Sequence, residues 1–283
     1  MPSAYEDEIL DWREHRIARL AGPDGWLTVV GLAWLDDGHN PVGSAPDNRV
    51  VLPRGPDRIG TIVVERGTVK GRFDPEAGVT RDGHPVTALQ LDDDSDGDPT
   101  ILRLDALTFF VIRRTGRLAL RIRDEQSQAR ATFTGIDSFP IDPRWRFLAR
   151  FEPYDPPRTA VVPTIVEMAE SYRVPGAVAF DHEGRTLRID AFLEEGETDL
   201  FLVFGDQTNR IETYGGGRYM YVRPPDHDGI VVVDFNKAYN PPCVFTPFAT
   251  CALPPQQNKL PIRVEAGERV YREAGSSPVI PRG

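Results

Sequence analysis

The sequence predicts a mainly β protein in which one N-terminal helix precedes packed or partly closed antiparallel sheets, sandwich-like or barrel-like in character. Three observations carry this expectation. Prolines and glycines, 26 and 25 among 283 residues, break the chain into short runs. Those runs are rich in Val, Ile, Phe and Thr, the residues that fit a pleated surface. Helical periodicity, by contrast, is confined to the first twenty or so residues.

The helix is expected over residues 4–20. Ser3 and Glu6 have the spacing of a capping box, Ile9, Trp12, Ile17 and Leu20 fall on one face, and Gly22-Pro23 ends the run. Strands are expected at 50–52, 60–65, 68–73, 102–104, 109–114, 118–123, 131–134, 146–151, 158–162, 177–180, 186–192, 200–204, 218–222, 230–234 and 260–264. Thr115-Gly116 marks the clearest hairpin, between 109–114 and 118–123. In its second strand Leu118, Leu120 and Ile122 alternate with Ala119, Arg121 and Arg123, which predicts one buried and one wet face. Such sheets must stack or close. No internal repeat of fixed period interrupts the pattern. Residues 1–25 are therefore assigned to the helix, 26–270 to a single large β-rich domain and 271–283 to a loose tail, with a β subdivision near 136–144 as the alternative.

Composition excludes several classes of function. The 33 basic and 43 acidic residues leave a net charge of −10, which repels a phosphate backbone or an anionic bilayer at long range, so neither nucleic acid nor membrane is expected as a partner. No apolar run approaches the roughly 18 residues of a spanning helix. The opening MPSAYEDEILDWREHR places carboxylates where an export signal has basic and then apolar residues, and the expected location is cytoplasmic. Two cysteines, Cys243 and Cys251, are too few for a disulfide scaffold and lack CxxC spacing. They are expected to be reduced, packing thiols.

The familiar chemical motifs are missing or incomplete. Asp92, Asp94, Asp96 and Gly97 resemble the start of a calcium loop, but Pro99 and Arg103 occupy positions that such a loop gives to an apolar residue and a glutamate, so solvated loop charges are the better reading. The five histidines are dispersed without metal-ligand spacing. Gly215-Gly216-Gly217 lies between strand patterns, which favours a β-turn over a phosphate loop leading into a helix. Nothing requests a flavin or a metal, and no cofactor is expected.

One region concentrates polar residues at strand ends. Asp206 and Thr208 leave one strand, Arg218 and Tyr219 enter the next after three glycines, and Asp234, Asn236, Lys237, Tyr239 and Asn240 follow the apolar run 230–233. Hairpin connectivity brings such ends together. In this reading Asp206 or Asp234 serves as a base and Arg218 as an electrostatic clamp, with Thr208, Tyr219, Asn236, Lys237, Tyr239 and Asn240 binding an anionic or hydroxylated small molecule. The competing reading is a long irregular loop in which Asx side chains hold the backbone and an Arg–Asp pair satisfies a buried charge. The functional reading requires an open pocket at these side chains.

Three segments resemble an uncharacterised prokaryotic family catalogued as domain of unknown function 1684: DGWLTVVGLAWLDDGHNPVGS, FGDQTNRIETYGGGRYMY and DFNKAYNPPCVFTPFATCALPPQQNKLP. The resemblance runs from about Trp12 to Glu268 and implies no activity. It departs at Cys251-Ala252-Leu253-Pro254-Pro255, where Pro-Leu-Pro-Pro is expected after the cysteine. It implies that Gly25-Trp26-Leu27 and Gly31-Leu32 pack the helix onto the sheets, with Trp26 and Trp34 as apolar anchors. The expectation for function is thus an intracellular protein that binds a small molecule, with hydrolase-like activity as an extension. The alternative is a non-catalytic interaction module or homodimer, in which the Pro-rich stretch 239–261 covers a sheet edge or a partner.

Overall fold

The computed structural model describes residues 3–95 and 97–271. The chain divides into two compact units, Met1–Ala18 with Thr134–Gly283, and Arg19–Phe133. The expected 271–283 tail falls, beyond Tyr271, outside the described residues. Helix α1 spans Ala4–Ala21. Its capping box forms as the spacing predicts: the Ser3 N–H donates to the Glu6 carboxylate at 2.6 Å and the Glu6 N–H to Ser3 Oγ at 3.2 Å. Ile9 and Leu20 are fully buried and Trp12 and Ile17 half-buried. Arg16, one turn after Trp12, is buried as well.

The Arg19–Phe133 unit carries eleven strands: β1 Val29–Trp34, β2 Gly38–Gly43, β3 Val50–Val51, β4 Gly60–Glu65, β5 Thr68–Phe73, β6 Thr80–Arg81, β7 His84–Pro85, β8 Ala88–Gln90, β9 Leu102–Leu104, β10 Leu107–Arg114 and β11 Arg117–Asp124. They form two sheets, ordered β1-β11-β10-β9-β6-β7 and β3-β2-β4-β5-β8. All pairings are antiparallel except β2 with β3. Between them lies a core that includes Ile62, Phe73, Leu102, Phe109, Leu120 and Ile122. The expected hairpin is β10–β11, and its Thr115-Gly116 turn has φ of 48° and 79°, the positive pair that a two-residue primed turn requires. The predicted wet face of β11 is not wet. Ala119 and Arg121 are buried too, the latter with its guanidinium 5.0 Å from the Trp26 ring, because aromatic and cationic side chains cover that side.

The other unit holds β12 Arg146–Pro163, β13 Ala169–His182, β14 Arg185–Leu193, β15 Leu200–Phe204, β16 Arg218–Val222 and β17 Ile230–Asp234 in one sheet ordered β16-β15-β14-β13-β12-β17. Although β16 and β17 are at opposite ends of that order, the sheet curls. Tyr219 and Tyr239, just after β17, exchange backbone hydrogen bonds at 2.9 and 3.0 Å. Inside the curl lies an apolar core, with the Phe235 ring within 6.1 Å of those of Trp145, Phe147, Phe180 and Phe204.

Several expected elements differ. Residues 131–134 do not form a strand: a short helix, α2 (Gln128–Ala131), capped by Ser127 Oγ accepting from the Arg130 N–H at 3.3 Å, ends at the first of them, and the rest are a turn and irregular backbone. Residues 260–264 are irregular, since Pro261 lacks a ladder N–H and the Leu260 N–H bonds instead to the Gly205 carbonyl at 2.8 Å. The expected strands 146–151 and 158–162 are one strand, β12. Its prolines are accommodated by a register shift between Pro153 and Arg158. Strands β1 and β2 were hidden by Gly31, Gly38, Pro41 and Gly43, residues that usually mark turns.

Candidate functional site

The connection from β15 to β16, residues 205–217, is built by its own polar side chains. Asp206 leaves β15 with its carboxylate turned inward: Oδ1 accepts from the Thr208 N–H at 2.8 Å, the Thr208 hydroxyl at 2.6 Å and the Val264 N–H at 3.2 Å. Oδ2 accepts from Arg218 Nη2 at 2.8 Å, and both side chains of this ion pair have 0% exposure. Arg218 also donates to the carbonyls of Val264, at 2.8 Å, and Ala266. Burial lowers the Arg218 pKa below the ordinary guanidinium value, and Asp206 opposes that shift. Thr208 bonds Thr213, hydroxyl to hydroxyl, at 2.8 Å, and Asn209 Nδ2 donates to Thr213 Oγ1 and the Tyr214 carbonyl, each at 2.9 Å. Apart from Arg218 Nε, which is buried without a partner, these polar side-chain atoms are paired internally, as a low-dielectric interior demands.

The second polar group holds α1. Tyr5 donates its hydroxyl proton to the Asp234 carboxylate, at 3.0 and 2.9 Å from its two oxygens. The Asn236 amide bonds Tyr5 Oη at 2.9 Å and both backbone groups of Asp142, at 2.9 and 3.0 Å. Lys237 pairs with Glu8 at 2.5 Å, and this contact holds the Glu8 carboxyl below its ordinary pKa. Tyr239 lies under the Arg16 guanidinium at 4.6 Å and beside Trp12. Asn240 receives Arg16 Nη2 on its carbonyl at 2.9 Å and gives its own N–H to Glu268 at 2.7 Å. In the DFN triplet Asp234 ends β17 and caps the 3-10 turn Phe235–Lys237 by accepting the Asn236 N–H at 3.0 Å; Asp234 and Asn236 both bond Tyr5 of the helix while Phe235 fills the core.

The nine sequence candidates are thus brought together in two groups, around Arg218 and around the helix seat, and the Tyr219–Tyr239 bridge joins them. Arg218, Thr208, Asn236 and Asn240 are each 0% exposed, and Tyr219 and Asp234 are 5% exposed. A guanidinium with no exposed surface and three internal acceptors does not reach a soluble ligand. In the structure Arg218, expected as an electrostatic clamp, bonds Asp206 and the carbonyls of Val264 and Ala266.

An open cavity of about 540 Å³ does lie on this unit. Residues 205–207, 209–210, 214–217, 253–254 and 259–260 line it, together with Ile165. Among the nine candidates Asp206 alone is on its wall. The residues that sequence reading missed are Arg210 and Lys259, both exposed cations with no acidic partner among the described residues. No motif announces them, since each is a single basic residue in a loop whose neighbours are decided by tertiary structure. Gly215-Gly216 forms the expected β-turn, closed by the Gly217 N–H on the Tyr214 carbonyl at 3.2 Å. The N–H groups of Gly215 and Gly216 have no protein acceptor among the described residues. Gly217 has φ of +85°, and a Cβ there would come within 2.6 Å of the Phe204 carbonyl oxygen. Gly217→Ala is therefore expected to cost about 2 kcal/mol or more, read as a lower urea midpoint.

The aspartates of the apparent calcium loop are committed elsewhere. Asp93 and Asp94 pair with Arg113 and Arg114 at 2.7 and 2.8 Å, Asp92 accepts from Thr100, and Asp96 lies outside the described residues. Among the described residues no helix is long and apolar enough to cross a membrane.

A β-rich unit with an open, cation-lined cavity is the class defined so far. Residues 131–269 match the family described as protein of unknown function (DUF1684), and the chain belongs to that family. The match takes in the second and third of the resembling segments but not the first. Among solved structures, an uncharacterised protein of Haloarcula marismortui, determined by solution NMR, is 33% identical, with 50% of this chain and 78% of that chain covered and a TM-score of 0.42. No curated protein matches.

Proposed function

We propose that this protein binds a small anionic ligand, phosphorylated or carboxylated, in the 540 Å³ cavity beside the 205–217 connection. The observation that supports this reading is that Arg210, Lys259 and the Gly215-Gly216 turn all line the cavity, the two side chains without an acidic partner and the two glycine N–H groups without a protein acceptor among the described residues. Successive backbone donors beside guanidinium and ammonium groups form an anion-binding concavity. The apolar walls of Ile165, Leu253 and Pro254 supply contact for a carbon skeleton.

Binding is favoured over hydrolysis. Asp206 is the one carboxylate on the wall, and its two oxygens already accept four internal hydrogen bonds. A general base needs a free lone pair within reach of the proton it takes.

The test is a thermal-shift series with inorganic phosphate, citrate and glucose 6-phosphate, with glucose as the neutral control. An anion at a hundred times its Kd adds about 2.7 kcal/mol, and each of those shifts Tm by roughly 2–4 °C in a chain of this size. Arg210→Glu with Lys259→Glu is expected to abolish the shift while leaving the unliganded Tm within about 1 °C, because exposed substitutions cost little. No anion shift, or a shift undiminished in the double variant, contradicts the proposal.

A further inference from the structure

The stretch after β17 carries a second chemistry that does not depend on ligand binding. Cys243 sits in the one-turn 3-10 helix Pro242–Val244, and the chain returns Cys251 to it. The Cys243 N–H donates to Cys251 Sγ at 3.1 Å. That contact places the Cys251 sulfur against the residue that carries the other thiol. Cys243 Sγ also lies 3.6 Å from the Tyr214 hydroxyl, and Tyr214 is on the cavity wall.

The two thiols are not equivalent. Cys243 is half-buried, whereas Cys251 is buried with 7% exposure. Hydrogen bonds from Cys251 and then Tyr214 draw the Cys243 pKa below the ordinary thiol value against the effect of burial. The Cys251 pKa is raised, first by its hydrogen bond to Cys243 and then by burial. An attacking thiol needs thiolate character and access, and a resolving thiol must be adjacent. The pair supplies one of each.

We propose that Cys243 and Cys251 form an oxidant-sensitive dithiol site in which Cys243 attacks a hydroperoxide and Cys251 closes an intrachain disulfide. In the first step the Cys243 thiolate forms an S–O bond with one peroxide oxygen, the O–O bond breaks, and the departing oxide takes up the proton that Cys243 released. The products are a sulfenic acid and water, or an alcohol from an alkyl hydroperoxide. In the second step Cys251 attacks the sulfenic sulfur, the S–S bond forms, and the hydroxyl leaves with the Cys251 proton as water. Two electrons pass from the two sulfurs to the peroxide, which is the oxidant required. Tyr214 is a positioning residue here, and acts through the Cys243 sulfur.

The experiment is oxidation of the reduced, folded full chain with hydrogen peroxide, followed by alkylation and peptide mass mapping under non-reducing conditions. The expected result is loss of both free thiols with a 243–251 linkage. Cys251→Ala should instead accumulate a dimedone-reactive sulfenic acid at Cys243, and in Cys243→Ser the remaining thiol should oxidise at least about tenfold more slowly than the wild-type pair. In the wild type, iodoacetamide should label Cys243 ahead of Cys251, with a rate that rises at a lower pH than for an ordinary thiol. Tyr214→Phe should move that rise to higher pH, a change that a purely packing role for the phenol does not produce. The proposal is overturned if the folded wild type yields no 243–251 linkage, whether it is unoxidised, dimerised through sulfur or oxidised only to sulfinic acid. It is overturned equally if Cys251 alone oxidises as fast as the pair.

Discussion

Arg218→Ala is expected to destabilise its unit by about 3–5 kcal/mol, the cost of removing one partner from a buried ion pair. The expectation rests on what stays behind. Asp206 keeps a carboxylate with 0% exposure and no countercharge, and the carbonyls of Val264 and Ala266 lose their donor. The Phe204 ring also loses the cation 5.4 Å from its centroid. The measurement is the urea midpoint of the variant against the wild type. Because a pair couples, Arg218→Met combined with Asp206→Asn should cost less than the sum of the two single changes, by about 2 kcal/mol or more. Additive losses would show that the two side chains stabilise the fold independently.

Asn258→Ala is expected to cost about 3 kcal/mol, from backbone groups left unpaired by the loss of one fully buried amide. Strands β14 and β15 pair through Phe192 and Phe201, and beyond that point they part. Asn258 fills the gap: its Oδ1 accepts the Asp190 N–H at 2.8 Å, and its Nδ2 donates to the carbonyls of Asp190 at 3.0 Å and Val203 at 2.9 Å. The Asn258 carbonyl in turn accepts the Gly205 N–H at 3.0 Å, so the same residue fixes the start of the cavity-lining connection. Amide exchange at Asp190 and Gly205 should accelerate in the variant together with the drop in urea midpoint. Asn258→Asp should be as damaging, since a carboxylate accepts where two donors are needed.

The sequence made the class of the fold legible wherever short-range signals were strong. The α1 capping box, the Thr115-Gly116 turn and the short β-prone runs that became β4, β5, β15, β16 and β17 are local features, and local chemistry decided them. Legibility failed where glycine or proline sat inside a strand, as in β1, β2 and β12, because the same residues serve turns and bulges. It failed again at 131–134, where a β-prone run follows directly on a serine-capped helical turn and stays irregular. At the candidate site the residues that the sequence singled out are, Asp206 excepted, off the cavity wall, most of them buried and bonded internally. Asp206, Arg218, Asp234 and Asn236 stand out because polar residues among apolar strands are conspicuous, and such residues are conspicuous for the same reason that they are buried and internally bonded. Arg210 and Lys259 look ordinary in the sequence. Their significance comes from the return of 253–260 to the 205–217 connection, a tertiary event without a local signature.

Binding in the cavity and binding at the buried polar groups beside it are distinguished by following backbone amides in 1H–15N spectra while titrating with inorganic phosphate and then citrate. The account predicts saturable shifts confined to residues 205–210, 214–217 and 253–260, led by Gly215 and Gly216, with the amides of Asn236 and Asn240 unmoved and the effect lost in Arg210→Glu with Lys259→Glu. Saturable shifts centred on Asn236 and Asn240, or none at the glycine turn with either anion, would contradict it.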